Sequence, residues 1–388
     1  MRANTLPTGR LAAILALAFG VGALTFSQGP AAQTDGCGAP RDLRDGWTRT
    51  SAGEADFDDK RMCGLDRFIA QWPGANIHGV VVARHGQIAF ERYYAGNDEH
   101  WGVPIGRVRF TPDVKHDLRS ITKSVTSLLV GIAASEGRFP PLDSSVYDYF
   151  PEHRSLRTPD KAALTFRHLL MMAAGLDWDE NLPYTHPRNS EIQMLNSSDP
   201  VGFVLKQPMR NPPGTAFSYN GGATTVLGAA LERATRSRIE DFARDRLFKP
   251  LGISDTEWVR MPNGMTSTAS GLRLRPRDTA KLGKLLLAQG NWNGRQVVPA
   301  AWIAESTQPR LDVDFFFKYG YQWWSATSRM AGRAYPWTAG VGWGGQRLFA
   351  QPDLDLVVMV SAGHYGEALQ NVIPLAIYTQ FVLPAVRL

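Results

Sequence analysis

The sequence predicts an α+β fold: one antiparallel sheet built from both chain ends, flanked by helices, with an all-helical region inserted over about residues 116–265. Three observations carry this. β-rich runs gather near both ends of the chain. The stretch between them reads as helices and loops broken by Pro140, Pro151, Pro183, Pro212 and Pro213. The composition, 388 residues with 44% hydrophobic and 20% charged, is that of an ordinary globular chain and excludes collagen-like, coiled-coil and disordered classes. Such a length buries a substantial core without metal or disulfide staples.

Arg2 and Arg10 precede an apolar stretch from Leu11 to Phe26, the order of a secretory signal and short for a membrane span. Residues 1–32 are therefore read as a signal peptide or N-terminal anchor and residues 33–388 as one domain. The expectation is an exported protein, periplasmic or secreted, or one held by an uncleaved anchor. Thr34, Asp35 and Gly36 before Cys37 do not make a lipobox. Cys37 and Cys63 lie beyond this segment. In an oxidising compartment they could pair, with a loop contribution of about 3 kcal/mol. The other reading is two free thiols.

Gly64–Trp72 reads as a short helix. Ile77–Arg84 and Gln87–Tyr94 read as strands joined by His85-Gly86, a two-residue hairpin signal. Arg119–Glu136 carries Ile121, Val125, Leu128, Leu129 and Ile132 at helical spacing and ends at Gly137. Thr165–Ala173, Thr224–Ala234 and Arg277–Gln289 follow as helices. The end turns β again at Gln346–Gln351 and Leu356–Ser361, around Pro352-Asp353, before a final amphipathic helix over Glu367–Leu383.

The net charge of +6 is mild and no basic run stands out, so neither a nucleic-acid nor a specific protein partner is expected. The histidines show no metal-ligand spacing, and neither metal nor cofactor is expected. No G-x-S-x-G occurs, which argues against an α/β-hydrolase elbow.

Three constellations could do chemistry. In Ser120-Ile121-Thr122-Lys123 the serine and lysine share one face near a helix start, where free backbone N–H groups favour an anionic intermediate. A polar helix face is the plain alternative. Phe217-Ser218-Tyr219-Asn220-Gly221-Gly222 places Tyr219 in a turn just before an apolar helix. Trp337–Gln346 contains Gly340, Gly342 and Gly345 in a literal G-x-G-x-x-G, but a hairpin rather than a helix follows. Those glycines read instead as a strand edge that a substrate backbone can approach closely.

Taken in order, these motifs resemble the serine β-lactamase and penicillin-binding-protein superfamily. The likeness is nearest to its class C-like branch, with family VIII carboxylesterases and 6-aminohexanoate-dimer hydrolases. It extends from about Ile77 to the end and is supported by Asp117–Gly131, Phe166–Leu170, Gly175–Trp178, Pro213-Gly214 and Thr268–Gly271. The resemblance implies a β-lactamase/transpeptidase-like fold and matches Ser120 to the acylated nucleophile, Lys123 to its helix partner and Tyr219 to the tyrosine of Tyr-x-Asn. It also sets Trp343-Gly344-Gly345 at the substrate strand, with the backbone N–H groups of Ser120 and Gln346 as the oxyanion hole. Gly221 stands where that pattern has asparagine, and Trp343 where the lactamases have the lysine of Lys-Thr-Gly.

The resulting expectation is an exported serine hydrolase that forms an acyl-enzyme from a small carboxylic ester or amide. A β-lactamase or D-Ala peptidase, or a non-catalytic sensor that kept the fold, are the competing readings.

Overall fold

The computed structural model describes residues 37–388, so the predicted N-terminal segment lies outside the described residues. The strands are β1 (Ile77–Arg84), β2 (Gln87–Tyr93), β3 (Ala95–His100), β4 (Val103–Arg109), β5 (His116–Asp117), β6 (Glu257–Trp258), β7 (Leu272–Leu274), β8 (Asn291–Trp292), β9 (Arg295–Gln296), β10 (Leu311–Asp312), β11 (Lys318–Tyr319), β12 (Trp324–Met330), β13 (Arg333–Gly342), β14 (Gln346–Gln351) and β15 (Leu356–Ala362). An eight-stranded sheet runs β10-β11-β12-β13-β14-β15-β1-β2, with every pairing antiparallel. Both chain ends thus build one sheet, as the sequence predicts, with Val80 opposite Val360 and Val81 opposite Met359.

β1 is buried throughout because both sheet faces are covered. Successive side chains point to opposite faces, so Val81 and Ala83 join one core while Val80 and Val82 join the other. The helices used below are α1 (Ile121–Ser135), α2 (Phe166–Leu170), α3 (Ser190–Leu195), α4 (Gly221–Thr235), α5 (Pro276–Leu287) and α6 (Leu369–Ala376). Helices α1 and α5 lie on the first face, with Leu128, Leu282 and Leu285 in the same core as Val81 and Met359. The C-terminal segment covers the second, bringing Ile373, Ile377, Tyr378 and Phe381 onto Val358 and Val360.

Several elements differ from the sequence reading. The helix expected over Thr165–Ala173 is only α2, because Met172 turns left-handed at φ 55°. The final helix keeps its span but changes winding: after Pro374, α6 gives way to a wider π turn over Ile377–Val382. The β3–β4 hairpin and β12 appear where no strand is predicted, while β13 takes in the predicted glycine strand edge at Gly340 and Gly342. The Cys37–Cys63 disulfide is formed and ties the start of the described chain to the first short helix, Asp59–Met62.

Candidate active site

Strand β5 pairs with β7 and delivers the chain to Ser120. Buried Asp117 accepts the Trp101 N–H at 2.6 Å and pairs with Arg273 at 2.8 Å, fixing this strand end. Arg119 then turns left-handed at φ 48°, and α1 begins just after Ser120. This strained turn swings the backbone from strand into helix and sets Ser120 at the helix N-terminus.

One helical turn on, Lys123 is 1% exposed and its Nζ lies 3.2 Å from Ser120 Oγ. The same ammonium donates to the Ala269 carbonyl at 3.1 Å and sits 4.9 Å over the Tyr219 ring. Ala269 belongs to the Thr268–Gly271 turn. Thr126 holds that turn by donating to the Thr268 carbonyl, and Thr122 by accepting from the Leu272 N–H just beyond it. The structure therefore brings Ser120, Lys123 and Tyr219 together.

Tyr219 is positioned from both sides. The Ser218 N–H donates to the carbonyl of left-handed Met172, and Asn220 caps α4 by accepting from the Ala223 N–H. Burial pushes the phenol well above its ordinary value, the charge of Glu180 adds to this, and the Ser120 hydroxyl pulls it back. The resting phenol is neutral and available as a proton donor.

Glu180 and Glu191 escape the sequence reading. A Cβ on Gly221 would lie 3.1 Å from Glu191 Oε1 and 3.2 Å from both Glu180 oxygens, so the two carboxyls fill the space of the expected asparagine side chain. Glu180 accepts from the Trp178 indole at 2.5 Å and from the Gly221 N–H. Its carboxyl is pushed up to about 8, first by burial and then by Glu191, against the pull of Lys123. The sequence signals were the glycine itself and, for Glu180, its place two residues beyond the Gly175–Trp178 stretch, whereas Glu191 lies near no motif. This edge of the site is acidic, not apolar.

The opposite edge is the β13–β14 turn. Gly344 and Gly345 have φ of 85° and 100°, and a Cβ on Gly342 would collide with the Leu118 carbonyl, so this strand end lies against the turn that leads to Ser120. The buried Gln346 side chain bonds both the N–H and the carbonyl of Ala362. Arg347 donates to the Gly342 and Gln346 carbonyls and braces the turn from behind. Trp343 meets Tyr184 edge-on at 5.3 Å. Trp178 is buried beneath Glu180 and Trp337 belongs to the core. His168 completes a capping box with Thr165, and His364 is buried against the Asn76 N–H. Among the described residues, His78, Asp98 and His116 form a cluster with metal-ligand potential.

This architecture defines a serine hydrolase of the β-lactamase fold. The chain belongs to the β-lactamase family, whose model matches residues 65–371. It is 26% identical over 272 residues to the 6-aminohexanoate-dimer hydrolase of Paenarthrobacter ureafaciens, covering 65% of this chain and 67% of that protein. It is 27% identical over 187 residues to esterase EstB of Burkholderia gladioli, covering 46% of each. A solved family VIII carboxylesterase superposes with a TM-score of 0.61 at 17% identity, over 82% of this chain and 96% of that one. The chain spans about two thirds of the first of these curated relatives, and half or less of several others.

Proposed function

We propose that this chain is an exported serine hydrolase that cleaves a small carboxylic ester or uncharged amide through an acyl-enzyme. The observation that carries this is the Lys123 ammonium, buried and shared between Ser120 Oγ and the Tyr219 ring. Once the Lys123 ammonium has released a proton to solvent, Ser120 Oγ attacks the carbonyl carbon and passes its own proton to the freed amine, directly or through the Tyr219 hydroxyl. The oxyanion lies between the N–H groups of Ser120 and Gln346, a donor of this kind being worth about 3–4 kcal/mol of barrier. The unit then returns the proton to the leaving oxygen or nitrogen as the bond to carbon breaks. Water, deprotonated by the same unit, attacks the acyl carbon and frees Ser120 with the carboxylic acid product.

The names of the dimer hydrolase and EstB support amide and ester chemistry. The Cys37–Cys63 disulfide supports passage through an oxidising compartment. Mass spectrometry with a slow substrate is expected to find an acyl adduct on the peptide holding Ser120, and Ser120→Ala to abolish turnover while folding normally. An adduct elsewhere, or full activity in that variant, rejects the assignment.

A further inference from the structure

We propose that His78, Asp98 and His116 form a binding site for one divalent transition-metal ion of the zinc class. The three residues come from β1, β3 and β5 and are 0%, 4% and 0% exposed. His78 Nδ1 lies 2.8 Å from His116 Nε2 and 3.8 Å from Asp98 Oδ1, and His116 Nε2 lies 3.5 Å from Asp98 Oδ1. Zinc bonds of roughly 2.0–2.1 Å give a tetrahedral edge of about 3.3 Å, and these edges average close to that. Metal entry requires the two rings to part by about half an ångström.

Hydrogen-bond accounting calls for a cation here. The Asn76 amide nitrogen donates to the carbonyls of Asn97 and Gly363, so its oxygen faces His78 Nε2, 3.1 Å away, and accepts that N–H. His116 Nδ1 lies 3.0 Å from the Asp117 carbonyl, which can only accept. A neutral imidazole has one N–H, so both outer nitrogens use it and both inner nitrogens present lone pairs to each other. Asp98 Oδ2 is buried with no hydrogen-bond partner.

Rings whose outer N–H is held by a carbonyl, with bare inner nitrogens beside a carboxylate, form the usual outer shell of a metal-ligating histidine pair. Two imidazoles and one carboxylate suit zinc, cobalt or nickel rather than calcium or magnesium.

The surroundings are built around this cluster. Phe110 stacks on His78 at 4.2 Å, and Tyr365 donates to Asp98 Oδ1 at 3.0 Å. A Cβ on Gly96 would strike Asn76 and His78, and so would one on Gly363, which leaves glycine at both positions where the Asn76–His78 contact needs room. An ion here would clamp β1, the β3–β4 hairpin and β5 together just ahead of the nucleophile turn. The ligands are far apart in sequence, which is why no spacing motif reveals them.

The test uses the full chain, stripped with a chelator, reloaded with zinc and passed through gel filtration. One zinc per chain by mass spectrometry is expected, together with a Tm rise of about 3–4 °C at free zinc near a hundred times Kd. The His116→Gln/Asp98→Asn double variant should retain none. Wild-type protein that keeps no zinc and shows no Tm shift overturns the proposal, because the rings then share a proton beside Asp98. Retention unchanged in the double variant overturns it too. X-ray absorption of zinc-loaded wild type decides even if the variant fails to fold: an imidazole-containing N/O shell supports the site, and a shell without imidazole rejects it.

Discussion

At Gly221 the absence of a side chain changes the charge beside Lys123 and Tyr219 as well as a hydrogen bond. Glu180 and Glu191 take the vacated volume and come into the field of Lys123 and Tyr219. Two carboxyls so close cannot both ionise readily, so the pair holds a proton into the neutral range. The Glu180 carboxyl is raised from 4.5 to about 8. Its contribution to stability is therefore fully present below about pH 4.5 and is lost as pH rises through about 8, because the unfolded chain releases this proton earlier. Glu180→Gln keeps the shape and removes the titration. The Tm of wild type relative to this variant is expected to fall from about pH 5 to about pH 8. The alkaline limb of kcat/KM should also shift in the variant, since the charge facing Lys123 and Tyr219 no longer changes. Parallel Tm curves and superimposable pH–rate profiles would show that the pair does not titrate in this range.

The element most exposed to disruption is the N-terminal arm, which reaches α5 through a buried ion pair. Arg277 is 1% exposed and pairs with Asp45 at 2.9 Å and with Glu91 at 3.4 Å, while the Trp47 indole donates to the Arg277 carbonyl. Removing one partner leaves a guanidinium in the core, so Asp45→Ala should cost on the order of 3 kcal/mol. Urea unfolding would read this as a lower midpoint at an unchanged slope, and a loss under about 1 kcal/mol would mean that Glu91 alone satisfies Arg277. The same scale shows what was legible in the sequence. β1, β15, α1, α4 and α5 announce themselves because their apolar residues follow the strand or helix period over a whole element. β13 does so only at its glycine end, since Pro336 and two glycines interrupt a strand with mixed exposure, and β4 is broken by Pro104 and Gly106 and largely exposed. Ser120, Lys123 and Tyr219 were readable as ordered motifs. Glu180, Glu191, Ala269 and Arg347 were not, because each enters the site from a segment whose approach only the tertiary fold determines.

Over the whole molecule, the sheet edge and the helical region present two unlike walls to a substrate. Trp343 and Tyr184 make the strand side aromatic, where an anionic substrate would meet no lysine. The helical side carries the Glu180–Glu191 pair, which retains negative charge once one of the two ionises. A β-lactam carboxylate would lose a cationic partner on one wall and meet repulsion from the other, whereas a short ester or neutral amide is indifferent to both. We therefore expect kcat/KM for a short p-nitrophenyl ester to exceed that for nitrocefin by at least about tenfold, equivalent to about 1.4 kcal/mol in the transition state. If electrostatics sets the ratio, it should narrow as salt rises, with nitrocefin gaining while the ester rate stays nearly constant. Both substrates can be followed on one enzyme preparation at one pH. Turnover of nitrocefin equal to or better than that of the ester would reverse the assignment and make β-lactam hydrolysis the activity to pursue.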